Sequence, residues 1–227
     1  MAKKVTKKEI EQPDFFQATS EKLSIFISRY KFRLYVALGI FASVILVATG
    51  WYLYRQNYEA NAQKLYAKAY IAILQSAMQG INPDQNVLKM YQDVVTQYPG
   101  TKAAMSAHYQ LGNLFFNLGD YDASLRAYQE FLKDFTDNSD LRTLAQIGVG
   151  YCYEAKKDFD GALKTFQNAV STRTSVAFEG IIYRDIARIY EEMNDKTKAL
   201  EYYHKALNTT SDPSTVQLIK RKISFLG

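Results

Sequence analysis

Arg184 and Arg188 stand one helical turn apart and could grip a carboxylate between them. Glu191 and Glu192 follow one turn later, so Arg188 can equally well pair within its own helix. Elsewhere the chemistry thins out. His108 and His204 lie in different stretches, with no metal-ligand spacing to a cysteine or carboxylate. His108 suits a packed helix face, His204 a solvated one. The sequence holds no phosphate-binding loop, dinucleotide glycine motif or nucleophile elbow. Gly148-x-Gly150 falls inside a helical pattern, where glycines serve packing. Cys152 is the single cysteine, so no intramolecular disulfide can form, and a buried thiol suits either redox compartment. Neither catalysis nor a metal nor any cofactor is implied, which leaves binding through aromatic, amide and charged side chains.

Those side chains need a scaffold, and the sequence is rich in helix. It is 48% hydrophobic and 14% aromatic with only 4 Pro in 227 residues, enough for one or two compact units and unlike a disordered chain. Three segments align without gaps, starting at Gly119, Lys157 and Asn194, spaced by 38 and 37 residues. A second helical stretch precedes each, so the unit is helix A, short turn, helix B. In helix A a small residue (Gly112, Gly150, Ala187) is followed three positions on by an aromatic (Phe115, Tyr153, Tyr190). In helix B a small residue (Ser124, Ala162, Ala199) precedes an aromatic (Tyr128, Phe166, Tyr203) by four, and Phe131, Ala169 and Ala206 close the set. Small residues let two helices approach, and the aromatics fill the space beside them.

This pattern resembles tetratricopeptide repeats. Phe131 departs from it where a small residue is usual, and the closing proline is missing after three units. A first unit spans residues 60–98 and ends with Pro99; its Tyr91 precedes Tyr128 by 37, and an extra loop, Gly80 to Gln85, parts its helices. Ser214 to Leu226 reads as a capping helix with Leu218, Ile219, Ile223 and Leu226 inward. The expected fold is all-α, a helical-repeat solenoid behind an N-terminal membrane helix. Stacked helix pairs curve, with A helices along the concave wall. The expected partner-binding groove is then Tyr109, Asn113, Phe116 and Asn117, followed by Ile147, Tyr151 and Glu154, followed by Arg184, Arg188 and Glu191. Tyrosines and amides suit a peptide backbone, although aromatics at helical spacing equally suit a core.

From Leu34 to Tyr54 no charge interrupts 21 residues, a helix of about 31 Å against a hydrocarbon layer of about 30 Å. Ala48-Thr49-Gly50 is a weak cleavage site, but the apolar run exceeds a signal peptide's, and Trp51, Tyr52 and Tyr54 form an interfacial belt, favouring an uncleaved anchor. Lys22, Arg29, Lys31 and Arg33 precede it while Arg55 stands alone after it, which places the N-terminus in the cytoplasm. Residues 1–54 hold eight basic and four acidic side chains, leaving 20 and 19 for the rest, so the net charge of +5 resides in the tail and does not argue for nucleic acid. Before the span, Asp14 to Tyr30 reads as an amphipathic helix behind Pro13, with Phe16, Leu23, Ile27 and Tyr30 in one stripe lying on the anionic leaflet. The expected division is a tail over 1–33, a span over 34–54 and a repeat domain over 55–227.

The whole arrangement, with the tail Lys7-Lys8-Glu9-Ile10 and Gln12-Pro13-Asp14-Phe15, resembles the ancillary SecYEG translocon subunit (YfgM-like) family. That resemblance implies a bacterial inner-membrane protein with a periplasmic repeat domain, partnered by proteins or peptides near the Sec translocon and the periplasmic chaperones. The alternative is an assembly scaffold of a cell-envelope complex. In either case a reporter enzyme that works only outside the cytoplasm should be active when fused after Gly227; activity confined to the cytoplasm reverses the orientation.

Overall fold

The computed structural model describes residues 15–80, 85–135, 140–171 and 176–227, and among these every regular element is a helix. In order they are α1 (Phe15–Met78), α2 (Gln85–Gln97), α3 (Lys102–Asn117), α4 (Tyr121–Asp134), α5 (Asp140–Ala155), α6 (Phe159–Ser171), α7 (Val176–Glu192), α8 (Lys196–Thr209) and α9 (Pro213–Leu226). The chain divides into two compact units, Met1–Asn57 and Tyr58–Gly227.

The described part of the first unit is helical from Phe15, and Leu23 and Ile27 are exposed. Pro13 and Asp14, expected to start that helix, lie outside the described residues. This unit carries the one stretch, among the described residues, that is long and apolar enough to cross a membrane, by length and composition; none of its apolar window is buried. The Ser43 hydroxyl there donates to the Gly39 carbonyl at 2.9 Å, satisfying within the helix a donor that hydrocarbon could not.

The second unit stacks helix pairs. In the second and third pairs a ring from helix B lies against a glycine of helix A that has no room for a larger side chain. A Cβ built on Gly112 would meet the Tyr128 ring at 2.6 Å, and one on Gly148 of the following pair would meet the same ring at 2.6 Å. Gly150 stands equally close to Phe166, and Ala187, Ala162 and Ala199 are fully buried. A hydrogen-bonded relay crosses two pairs: Cys152 Sγ donates to Ser124 Oγ at 3.1 Å, which donates to the Gly112 carbonyl at 2.7 Å. Burial pushes the Cys152 thiol up, against the hydrogen bond with Ser124. Phe131 fits its unusual position because it is fully buried between Tyr109 and Phe135, with ring centroids 5.5 and 4.8 Å away.

The A-to-B turns repeat one design. Gly119, Lys157 and Asn194 each take a left-handed backbone, and Asp120, Asp158 and Asp195 follow. Each aspartate amide donates back to a carbonyl five residues earlier, and each carboxylate accepts from a backbone amide of the next helix at 3.0 Å. Gly119 and Asn194 are expected there from sequence; Lys157 is not, since only its alignment with them signals that conformation. At the start, Glu59 accepts from the amides of Lys102 and Ala103 at 3.0 and 3.3 Å and caps α3 beside its own N-cap, Thr101. At the other end Ile219 is fully buried, with Ile223 and Leu226 partly so, whereas Leu218 is 49% exposed. Leu218 lies about 100° around the helix from Ile219, so it cannot join that inward stripe.

The close A–B crossing sets an expectation for stability. Ala162→Leu and Ala199→Leu should each cost about 1–3 kcal/mol although both enlarge an apolar side chain. Chemical denaturation of the full chain in detergent checks this; unchanged midpoints would mean that the crossing has spare volume.

Candidate protein-binding groove

The residues expected along the concave wall meet different fates. Tyr109 is half-buried and sets its ring edge-on to Tyr128 at 6.0 Å. Asn113 accepts a hydrogen bond from the Tyr128 hydroxyl at 2.6 Å, which engages its amide oxygen. Phe116 is half-buried and Asn117 exposed. Ile147 is only 5% exposed and belongs to the core around Phe166 and Ile182. Phe116, Tyr151, Glu154 and Arg188, drawn from three successive A helices, line one open depression of about 310 Å³ together with Ala155.

Beside that depression sits Asp185, fully buried and overlooked in the sequence. Its Oδ2 accepts from the Tyr151 hydroxyl at 2.6 Å. Its Oδ1 accepts from Arg184 Nε and NH2 at 3.1 and 2.8 Å, and from Arg188 NH2 at 3.4 Å. Arg188 also pairs with Glu154 and lies over the Tyr151 ring, 6.0 Å from its centroid. The carboxylates gripped by Arg184 and Arg188 are therefore the protein's own. Nor does Arg188 turn to Glu191, whose carboxylate instead takes the Tyr203 hydroxyl and the Lys222 ammonium, the latter at 3.0 Å. The signal for Asp185 was present: it shares a helical stripe with Ile182, Ile186 and Ile189, all essentially buried, and an acid there requires cations within reach.

The electrostatics follow from burial. Burial holds the Glu154 carboxyl above its usual range, outweighing the pull of Arg188. Burial also works against the Arg188 charge, but Glu154 and Asp185 together overcome it and raise its pKa. Tyr151 is pushed up by burial, then by the Asp185 charge and its hydrogen bond, so it stays a donor. His108 is lowered by burial despite Glu130 and Asp134, and His204 is exposed. Among the described residues no group of three or more His, Cys, Asp or Glu is placed to hold a metal ion.

A family model described as a tetratricopeptide repeat-like domain matches residues 30–227. The chain belongs to that family. Tetratricopeptide repeat-like domains are scaffolds that bind other proteins and are not themselves enzymes. Lipopolysaccharide assembly protein B of Escherichia coli strain K12 is 23% identical over 177 residues, covering 77% of this tetratricopeptide repeat-like chain and 43% of the relative. The protein of the same name from Escherichia coli O157:H7 matches to the same extent, so the chain spans less than half the length of these curated relatives. Among solved structures, MamA from Desulfovibrio magneticus RS-1, residues 41 to end, superposes with a TM-score of 0.56 at 17% identity, covering 71% of this chain and 83% of that one. A further MamA structure gives 0.53 at 15%, covering 72% and 87%. These structures share the fold.

The buried carboxylate yields a stability test. Asp185→Ala removes the buried acceptor shared by Tyr151, Arg184 and Arg188 and should cost about 3–5 kcal/mol. Tyr151→Phe, which removes one hydrogen bond to a charge, should cost about 1.5–3 kcal/mol. Denaturant midpoints of the two variants, read against wild type, check both; an Asp185→Ala chain as stable as wild type would mean the arginines reach solvent without loss.

Proposed function

We propose that this protein is a membrane-anchored scaffold that holds proteins together during assembly of the bacterial cell envelope. The observation that carries this reading is one chain joining an uncharged 21-residue span, Leu34 to Tyr54, to a stack of helix pairs with aromatic and amide side chains on the A helices. The similarity to Lipopolysaccharide assembly protein B supports an assembly role. The division into tail (1–33), span (34–54) and repeat domain (55–227) belongs to this reading. So does the orientation, with the N-terminus cytoplasmic and the repeats periplasmic at the inner membrane; the basic excess before Leu34 supports it. The contact surface is the concave wall, with Asn117 and the depression around Phe116, Tyr151 and Arg188 as its accessible part. Service to the Sec translocon or to emerging periplasmic chains rests on resemblance in architecture and tail alone.

A photo-crosslinking residue at position 117 of the full chain, in living cells, separates these readings. Capture of a fixed set of envelope-assembly proteins, unchanged when protein export is arrested, is the expected result. Capture of translocon subunits and nascent chains that vanishes on arrest would overturn the assembly role in favour of the translocon one.

A further inference from the structure

The first helix pair, formed by the C-terminal part of α1 and by α2, lacks a hydrogen bond that the second and fourth pairs make; the third pair carries Phe166, which has no hydroxyl to place. In the second pair the helix B tyrosine, Tyr128, donates its hydroxyl to Asn113 of helix A. In the fourth pair Tyr203 donates to Glu191. The matching ring of the first pair is Tyr91, fully buried, and among the described residues its hydroxyl has no hydrogen-bond partner. The reason lies in helix A. Tyr66 meets Tyr91 edge-on, with centroids 5.5 Å apart and planes at 67°, as Tyr109 meets Tyr128 at 6.0 Å and 61°. With Tyr66 in the place of Tyr109, the residue four further on is Tyr70 where the second pair has Asn113. Ile73 then occupies the place where the fourth pair has Glu191. Both acceptors have been replaced by residues that leave Tyr91 unanswered.

The same replacement leaves apolar surface open. Tyr70 and Leu74 are each 44% exposed, at the places of Asn113 and Asn117. The A-helix wall of the first two pairs, from Tyr66, Tyr70 and Leu74 to Tyr109, Asn113 and Phe116, carries no charged side chain. Toward the fourth pair the wall is charged, but Arg184, Arg188 and Lys222 are matched by Asp185, Glu154 and Glu191. Releasing those buried partners for a ligand would strand charge, so the charged end is a poor place for a ligand carboxylate.

We propose that the first helix pair is the anchor point of the groove, taking an uncharged, apolar segment of a partner protein: its side chains lie against Tyr70 and Leu74, and one of its backbone carbonyl oxygens accepts from the Tyr91 hydroxyl. This rests on the concave wall being the binding surface. An uncharged wall selects an uncharged segment, because a charge placed there would lose water and gain no partner. A buried donor lacking an acceptor selects a carbonyl, which every extended backbone presents. Tyr70 is 44% exposed and lies near Tyr91, so admitting the carbonyl requires its ring to move aside.

The test uses the full chain in nanodiscs and a fluorescent capped peptide, acetyl-Ser-Leu-Phe-Ala-Leu-Ser-amide, with a Leu-to-Glu version as control. Tyr91→Phe keeps the ring and removes only the hydroxyl; it should bind the apolar peptide about tenfold more weakly while melting no lower than wild type. Tyr70→Asn returns an acceptor to the place of Asn113; it should melt higher than wild type and also lose at least tenfold in binding. A purely structural role for these residues cannot couple higher stability to weaker binding. Equal peptide affinity across wild type, Tyr91→Phe and Tyr70→Asn overturns the proposal, as does a wild type that ignores the apolar peptide or prefers the Glu version. If crosslinking from position 117 still captures partners in that event, the groove reading stands without this anchor; if it captures none, both fall.

Discussion

The contact between a helix B ring and a helix A residue with little or no side chain is the constraint on which the repeat unit depends. Tyr128 lodges between Gly112 and Gly148, and Phe166 lies against Gly150, at distances that exclude even a methyl group. One ring thus ties its own pair and the next, so correct packing inside a pair sets the position of its neighbour. The aspartate-capped turns at Gly119, Lys157 and Asn194 fix where each helix ends, and the ring contact fixes how closely the helices cross. Neither helix could bury its stripe alone; stacking is the condition for having a core at all.

This dependence explains what could be read in advance. The small-aromatic spacing in helices A and B is a consequence of the crossing itself, so the all-α repeat fold was legible from Gly112, Ser124 and Tyr128 and their equivalents. The same spacing gives the exposed faces of the A helices and no more. Which side chains on those faces remain free depends on partners from other helices, and sequence spacing does not reveal those. Asn113 is engaged by Tyr128 from fifteen residues away, and Arg188 by Glu154 from thirty-four. Lys157 hid its left-handed backbone because its residue type argues against it, and only alignment with Gly119 exposes it. Leu218 was misplaced through a single step of helical phase.

The wall that results has two characters. Its later part is a closed electrostatic circuit in which Asp185 serves three neighbours, and such circuits fix geometry because each member is held by the others. Its earlier part is made of rings, aliphatic groups and an amide, with no charged side chain.

Cys152 gives this architecture an internal clock. The lone thiol is fully buried, its sulfur donating to Ser124 of the preceding pair. A thiol reagent can reach it only when the packing around it opens, so its rate of alkylation reports that opening without any engineered label. Burial also pushes the thiol up, which disfavours the reactive thiolate in the closed state and sharpens the contrast with the open one.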